Sequence, residues 1–227
     1  KRSVKDWISA TRPWSFPASA MPVAVSIAYL WWHRGDINLA ARLMAMLNII
    51  VFHAAGNTWS DYFDFKRGVD TPDTFGAKTI TSGQFEAGEI RRLAVGLCIA
   101  ACVMGVALMA LTGWQLVYVG AAGVACTLAY PALKYRAMGD YLIFVTYGLI
   151  PTIGTAFVCT GTYDPRIWII ALPVGLITVA ILHANNTRDV VTDREAHITT
   201  LAMQIGHGLS QGVYLLEVLL PYGLMVA

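Results

Sequence analysis

Apolar residues along this chain gather into long runs separated by short polar turns and two longer polar segments. A helix that crosses a bilayer needs roughly 20 mainly apolar residues. Seven runs meet that description: 14–32, 39–56, 93–111, 114–130, 141–160, 167–184 and 213–227. Connections as short as Thr112-Gly113 force neighbouring helices to run antiparallel. Pro22, Pro151 and Pro173 fall inside runs, which a bundle tolerates when neighbouring helices satisfy the freed backbone groups. The pattern predicts an all-α fold, a seven-span transmembrane helical bundle built as one domain over residues 1–227. The longer polar segments, 57–92 and 185–212, interrupt it.

Composition narrows the class. Of 227 residues, 56% are hydrophobic and 13% charged, with mean hydropathy +0.56, whereas soluble domains carry about a quarter charged residues. A disordered chain and an ordinary soluble enzyme are excluded, and a net charge of +2 argues against a nucleic-acid partner. The lipid bilayer is the expected environment.

Threading seven spans puts Lys1, Arg2, Lys5, Arg12, Lys66, Arg67, Lys78, Arg91, Arg92, Lys134, Arg136, Arg188 and Arg194 on one side, and only Arg34, Arg42 and Arg166 on the other. This bias makes the first side cytoplasmic. The seven Trp residues fall near span ends, as interfacial anchoring requires. The chain does not begin with Met, and its last run lacks a polar flank, so further helices are expected after residue 227.

Eleven of the fourteen acidic residues share the cytoplasmic side, Asp73 among them. The second run leads into His53-Ala-Ala-Gly-Asn57-Thr-Trp-Ser-Asp61-Tyr-Phe-Asp64, and the sixth into His183-Ala-Asn185-Asn186-Thr-Arg188-Asp189-Val-Val-Thr-Asp193. Asn57, Asp61 and Asp64 share one helix face, as do Asn185, Asp189 and Asp193. The two segments resemble each other and hint at an internal duplication. Stacked carboxylates repel and are costly to keep ionised near a bilayer, so a divalent cation is expected to neutralise them. Oxygen donors without Cys favour Mg²⁺, which completes its shell with phosphate and water. Two such clusters with Lys and Arg interspersed therefore read as a diphosphate site. Acidic, solvated helix ends are the plainer account of one cluster, and a poor account of two at one face.

Lys66, Arg67, Lys134, Arg136, Arg188 and Arg194 are candidate phosphate contacts, although positive-inside anchoring explains many of them. His53 and His183 read as hydrogen-bonded core residues before substrate contacts. Cys98, Cys102, Cys126 and Cys159 read as small packing residues. Glu217, within an apolar run, is a functional candidate without an assigned role.

Asn57-Thr-Trp-Ser-Asp61-Tyr-Phe-Asp64, followed by Asp70, resembles the first Asp-rich motif of the UbiA-type intramembrane aromatic prenyltransferases. Asn185-Asn186-Thr-Arg188-Asp189-Val-Val-Thr-Asp193-Arg194-Glu195 resembles the second. Tyr130-Pro-Ala-Leu-Lys134-Tyr135-Arg136-Ala-Met-Gly139-Asp140 is similar to the family's loop between helices four and five. The Asn four residues before Asp61, the run on to Gly68-Val69-Asp70-Thr71-Pro72, and the second motif's form resemble the branch acting on 1,4-dihydroxy-2-naphthoate rather than on 4-hydroxybenzoate. Ile198 and Gln204 stand where relatives often carry basic residues, which removes the basis for a phosphate contact there.

The resemblance implies a bundle, usually of nine helices, around a central cavity. It implies Mg²⁺-dependent transfer of a polyprenyl group from polyprenyl diphosphate to 1,4-dihydroxy-2-naphthoate with decarboxylation, in menaquinone biosynthesis at a prokaryotic inner membrane. One Mg²⁺ is expected on Asn57, Asp61 and Asp64 and a second on Asp189 and Asp193 with Asn185 or Asn186. Asp70, Asp140, Arg136 and Arg188 are expected at the substrate, and Lys134, Tyr135 or Asp140 as any base. A CDP-alcohol phosphotransferase is opposed by the absence of its single continuous Asp-Gly to Asp-x-x-x-Asp run. A transporter is opposed by polar groups clustered at one face rather than at the midplane.

Overall fold

The computed structural model describes residues 2–35, 38–70 and 78–226. Lys1, Asp73 and the Thr71-Pro72 end of the first motif lie outside the described residues. A short helix, α1 (Val4–Ala10), starts with a reciprocal cap in which Ser3 and Asp6 bond each other's backbone N–H groups, which satisfies donors that the first turn leaves open. It is followed by α2 (Pro17–Arg34), α3 (Leu39–Lys66), α4 (Ala87–Thr112) and α5 (Leu116–Leu133). One rod over Gly139–Thr160 comprises α6 (Gly139–Ile143), a wide π-type turn at Phe144–Leu149 and α7 (Ile150–Thr160). The chain then forms α8 (Trp168–Arg188), α9 (Val190–Glu195), α10 (Leu201–Ile205) and α11 (His207–Val226).

Six helical stretches among the described residues are long and apolar enough to cross a membrane, which agrees with a transmembrane bundle but is one fewer than expected. The exception is the run 14–32. Trp14 lies in a short 3₁₀ turn before the helix, and α2 ends in Trp31-Trp32-His33-Arg34, which lowers the hydropathy of its 18 residues. α2 still runs the length of the bundle, with Arg12 before it paired to Asp61 and Arg34 at its far end paired to Asp164. The second span is longer than expected. α3 has 28 residues, about 42 Å at 1.5 Å per residue, against a hydrocarbon core of about 30 Å. Counted from Leu39, Asp61 and Asp64 lie about 33 and 38 Å along the helix axis, beyond that thickness, while Asn57 lies just within it.

α8 is the most enclosed span, with 56% of its apolar window buried, against 17% for α4. Its approach to the π-type turn is set by glycine. A Cβ on Gly148 would lie 2.4 Å from Gly175 Cα, so these two backbones touch in a way that no larger residue permits. α1 docks on the connection between α3 and α4 through Ala10, Ile80, Phe85 and Ile90, with Trp7 edge-on to Phe85 at 4.7 Å. That docking fixes the chain segment entering α2.

Candidate active site

The first Asp-rich motif lies on α3 beneath the α1–α2 connection. Asn57 donates through Nδ2 to Thr11 O and Ser15 Oγ, both at 2.9 Å. Asp61 is 2% exposed and accepts from an Arg12 guanidinium nitrogen through Oδ1. Its Oδ2 is buried without a partner. Arg12 sits at φ 58°, a left-handed conformation uncommon for a residue with a side chain. Asp64 is more fully engaged. It accepts from Lys134 Nζ at 2.6 Å, from Ser60 Oγ at 3.2 Å and from the Tyr135 hydroxyl. Lys134 also donates to Ser60 Oγ at 2.8 Å.

Burial and the Asp64 anion hold the Tyr135 phenol above its ordinary pKa, so it serves Asp64 as a donor rather than a base. Arg67 donates to Pro131 O at 3.0 Å and lies over the Tyr135 ring, 4.6 Å from its centroid. Asp70, half-buried after the end of α3, is pushed up by burial and by Asp64, against the pull of Arg12 and Lys134. Lys66 projects to solvent.

The second motif occupies the break between α8 and α9. The i to i−4 bonding continues, from Asp189 N–H to Asn185 O at 2.9 Å and from Asp193 N–H to Asp189 O at 2.8 Å, so the three side chains keep helical spacing. Asn185 and Arg194 are exposed. Arg188 binds Asp189 through two bonds of 2.6 Å. Burial and Asp189 push the Asp193 carboxyl up to about 6, while Lys134 and Arg188 pull it down.

Two links bring the motifs together. The charge of Lys134 is felt by Asp70 beyond the first motif and by Asp193 in the second. The loop carrying Lys134 is also tied to the chain after α9: Ala137 N–H donates to Thr199 O at 2.7 Å, and Thr199 N–H donates to Tyr135 O at 3.2 Å. That pairing leaves the Arg136 side chain exposed.

Asp140 and Asn186 take a different place from the rest of the set. Asp140 is buried, accepting from His183 Nδ1 at 2.8 Å and from Asn186 Nδ2 at 2.9 Å. His183 Nε2 is 2.9 Å from Ser210 Oγ, and Glu217 lies 3.9 Å from His183 Nδ1. These residues join α6, α8 and α11 as a buried polar network, in keeping with a core role for His183. His53 is likewise buried and hydrogen-bonded.

Arg12 is the site residue that sequence reasoning missed, since it counted only toward the cytoplasmic charge bias. Its position just ahead of Pro13, where the chain enters the first long helix, was the available signal.

Below Asn57 a cavity of about 310 Å³ opens between α3, α4, α5 and α7. His53 and Gly56 line one end, and Ala45, Leu108 and Leu116 line the other. Along α3 this spans about 16 Å. The donor set above it consists of carboxylates, amides and hydroxyls, which suits a hard divalent cation, and Asp61 Oδ2 is a buried oxygen without a partner. Among the described residues no three His, Cys, Asp or Glu side chains form a closed metal cage, so a bound ion would take further oxygens from substrate or water.

The profile of the UbiA prenyltransferase family matches residues 19–227. The chain belongs to the UbiA prenyltransferase family. Similar relatives include UbiA prenyltransferase domain-containing protein 1 of Xenopus tropicalis, 33% identical over 230 residues, with 98% of this chain and 66% of that protein covered. The Mus musculus protein is 34% identical over 224 residues, covering 95% of this chain and 66% of its own. The Drosophila melanogaster homolog is 32% identical over 231 residues, covering 97% and 64%. The chain thus spans about two thirds or slightly less of these relatives' lengths.

Two solved structures share the UbiA fold. A UbiA homolog from Archaeoglobus fulgidus bound to GPP and Mg²⁺ superposes with TM-score 0.75 at 13% identity, covering 96% of this chain and 76% of its own. The same homolog bound to DMAPP and Mg²⁺ gives 0.73 at 12% identity, with the same coverage.

Proposed function

We propose that this UbiA-family prenyltransferase moves a prenyl group from a prenyl diphosphate to an aromatic acceptor, with 1,4-dihydroxy-2-naphthoate the acceptor its motifs favour. The observation that carries this reading is Lys134, which bonds Asp64 at one Asp-bearing helix end and whose charge reaches Asp193 at the other. The family membership and the Mg²⁺-bound prenyl diphosphates of the Archaeoglobus fulgidus structures support the substrate class. The motif resemblance alone supports the naphthoate acceptor, the menaquinone pathway and a prokaryotic inner membrane; the relatives named above are animal proteins. The charge bias supports a cytoplasmic active face.

The residues divide the work. Asn57, Asp61 and Asp64 would hold one Mg²⁺, and Asp189 and Asp193, with Asn185, a second. When bound, the ions neutralise charge growing on the departing diphosphate. Lys134 and Arg12 add fixed positive charge at the same place, where it is worth more than in water. The isoprenoid tail enters the cavity, whose apolar lining excludes water from the allylic centre. The carbon–oxygen bond to diphosphate breaks, the acceptor ring forms a new carbon–carbon bond, and its carboxylate leaves as CO₂.

The test is a product assay with geranyl diphosphate, Mg²⁺ and either 1,4-dihydroxy-2-naphthoate or 4-hydroxybenzoate, with and without EDTA. EDTA-sensitive prenylation of the naphthoate supports the proposal. Turnover of 4-hydroxybenzoate alone would reassign the acceptor, and no product with either would overturn the enzyme reading.

A further inference from the structure

The loop that joins α5 to α6 touches both halves of the site. On one side Lys134 bonds Asp64 and Ser60 near the end of α3. The turn after it is tight, with Arg136 N–H and Met138 N–H both donating to Leu133 O, at 2.9 Å and 3.3 Å. It folds Gly139 back on Lys134, so that a Cβ on Gly139 would lie 3.5 Å from Lys134 Cβ and 3.5 Å from Leu182 Cδ2 on α8. Asp140 follows directly and is 4% exposed.

On the other side, the Asp140 carboxylate gives one oxygen to each of two α8 residues. Oδ2 pairs with His183 Nδ1 at 2.8 Å, and Oδ1 accepts from Asn186 Nδ2 at 2.9 Å. Residues three apart share a helix face, so a carboxylate bonded to both fixes the rotation of α8 about its axis as well as its distance. Ser210 on α11 backs the contact, its Oγ lying 2.9 Å from His183 Nε2 and 2.5 Å from Thr187 Oγ1. Beyond Asp193 the same loop takes hold again, through Thr199 and the backbone of Tyr135 and Ala137. Asp189 and Asp193 therefore stand between two ties to one loop. The later tie is made by backbone groups that almost any residue supplies. The earlier one depends on the Asp140 side chain.

Building on the prenyltransferase reading, we propose that Asp140 is a positioning residue: through Asn186 and His183 it sets the turn of α8 that aims Asp189 and Asp193 at the diphosphate held by the first motif. Lys134 and Asp140, at the two ends of one tight turn, thus fix the two Asp-bearing helix ends against each other.

Asn186→Ala tests this at a half-buried position. The KM for geranyl diphosphate should rise about tenfold, the lower end of what losing an outer-shell partner costs, while the KM for 1,4-dihydroxy-2-naphthoate stays unchanged. The gain in melting temperature that geranyl diphosphate with Mg²⁺ produces should shrink accordingly. A merely structural loss lowers the amount of active protein and moves neither KM. Asp140→Ala should raise the same KM, and the double variant should be no worse than the worse single one, because residues that act through one bond are not additive. Additive penalties, or an unchanged KM for geranyl diphosphate in Asn186→Ala, would overturn the assignment. Should Asp140→Ala fail to fold, the exchange Asp140→Asn with Asn186→Asp keeps a donor and an acceptor at the contact and should recover most of the affinity that Asn186→Asp alone loses. No recovery would overturn the assignment equally. An unaltered protein that neither prenylates any acceptor nor gains melting temperature with geranyl diphosphate would instead strike the prenyltransferase reading itself.

Discussion

The two Asp-rich helix ends carry nearly the same residues in the same order, yet the fold treats them differently. In the first, α3 runs unbroken to Lys66, which keeps Asp61 and Asp64 inside the bundle, where Arg12, Lys134, Tyr135 and Ser60 meet them. In the second, α8 stops at Arg188 and Asp189 adopts φ −94°, ψ 13°, which turns the motif toward water. There Asp189 is 26% exposed and pairs with its own neighbour, Arg188. The first motif is neutralised in advance by cations that the fold supplies over long sequence separations. The second depends on what binds. A site with one preset half and one open half can hold its shape when empty and still gain most of its stabilisation from the diphosphate proposed to bind there.

Removing the preset half should have the largest effect. Asp61→Ala is expected to lower kcat by about 10²–10³-fold or more, as losing a major electrostatic contact at a reacting centre does, while expression and helical content persist. Near-normal turnover in this variant would remove the first motif from the mechanism. Asp189→Ala should also abolish most turnover, but with a different signature. Because Asp189 pairs, among the described residues, with its own neighbour Arg188, thermal stability should be unchanged, whereas Asp61→Ala leaves Arg12 at a half-buried site without its counter-ion and should lower it. Equal melting temperatures for the two variants would break the comparison.

The intimate contact of Gly148 with Gly175 predicts an effect on stability rather than chemistry. Gly148→Ala inserts a methyl where the facing Cα is 2.4 Å away, and overpacking of this kind costs about 1–3 kcal/mol. A melting temperature in detergent no lower than that of the unaltered protein would show that α8 can move away freely.

The helical class and the two Asp-bearing helix ends were legible because each rests on local pattern. Arg12 was not, because a cytoplasmic flank rich in Lys and Arg makes any one of them look alike, and its pairing with Asp61 spans 49 residues. Asp140 and Asn186 likewise matched a motif, and only the tertiary fold shows them turned to each other and to His183. The π-type turn left no trace in the hydrophobic period, since α6 and α7 flank it within one apolar run. The bounds of the 14–32 run were displaced for the opposite reason: tryptophans count as apolar in a run but mark the membrane interface, and the helix is Pro17–Arg34.

The smallest expected effect sharpens the comparison most finely, because it reads the open half alone. Asp193 titrates near 6 in the folded protein against an ordinary value of 3.8. Between those values the folded state holds a proton that the unfolded chain has released, so without metal the stability falls as pH rises from about 4 to about 6. Asp193→Asn should flatten that dependence by a modest amount, since the group is half exposed and screened by water. Adding Mg²⁺ should oppose the loss at the upper end, because the cation favours the deprotonated carboxylate. The measurement is the melting temperature in detergent at pH 4.5 and pH 7, with EDTA and with Mg²⁺, for both proteins. An identical pH slope in Asp193→Asn would mean that the second motif carries no uncompensated charge, and the two halves of the site would then differ in geometry alone.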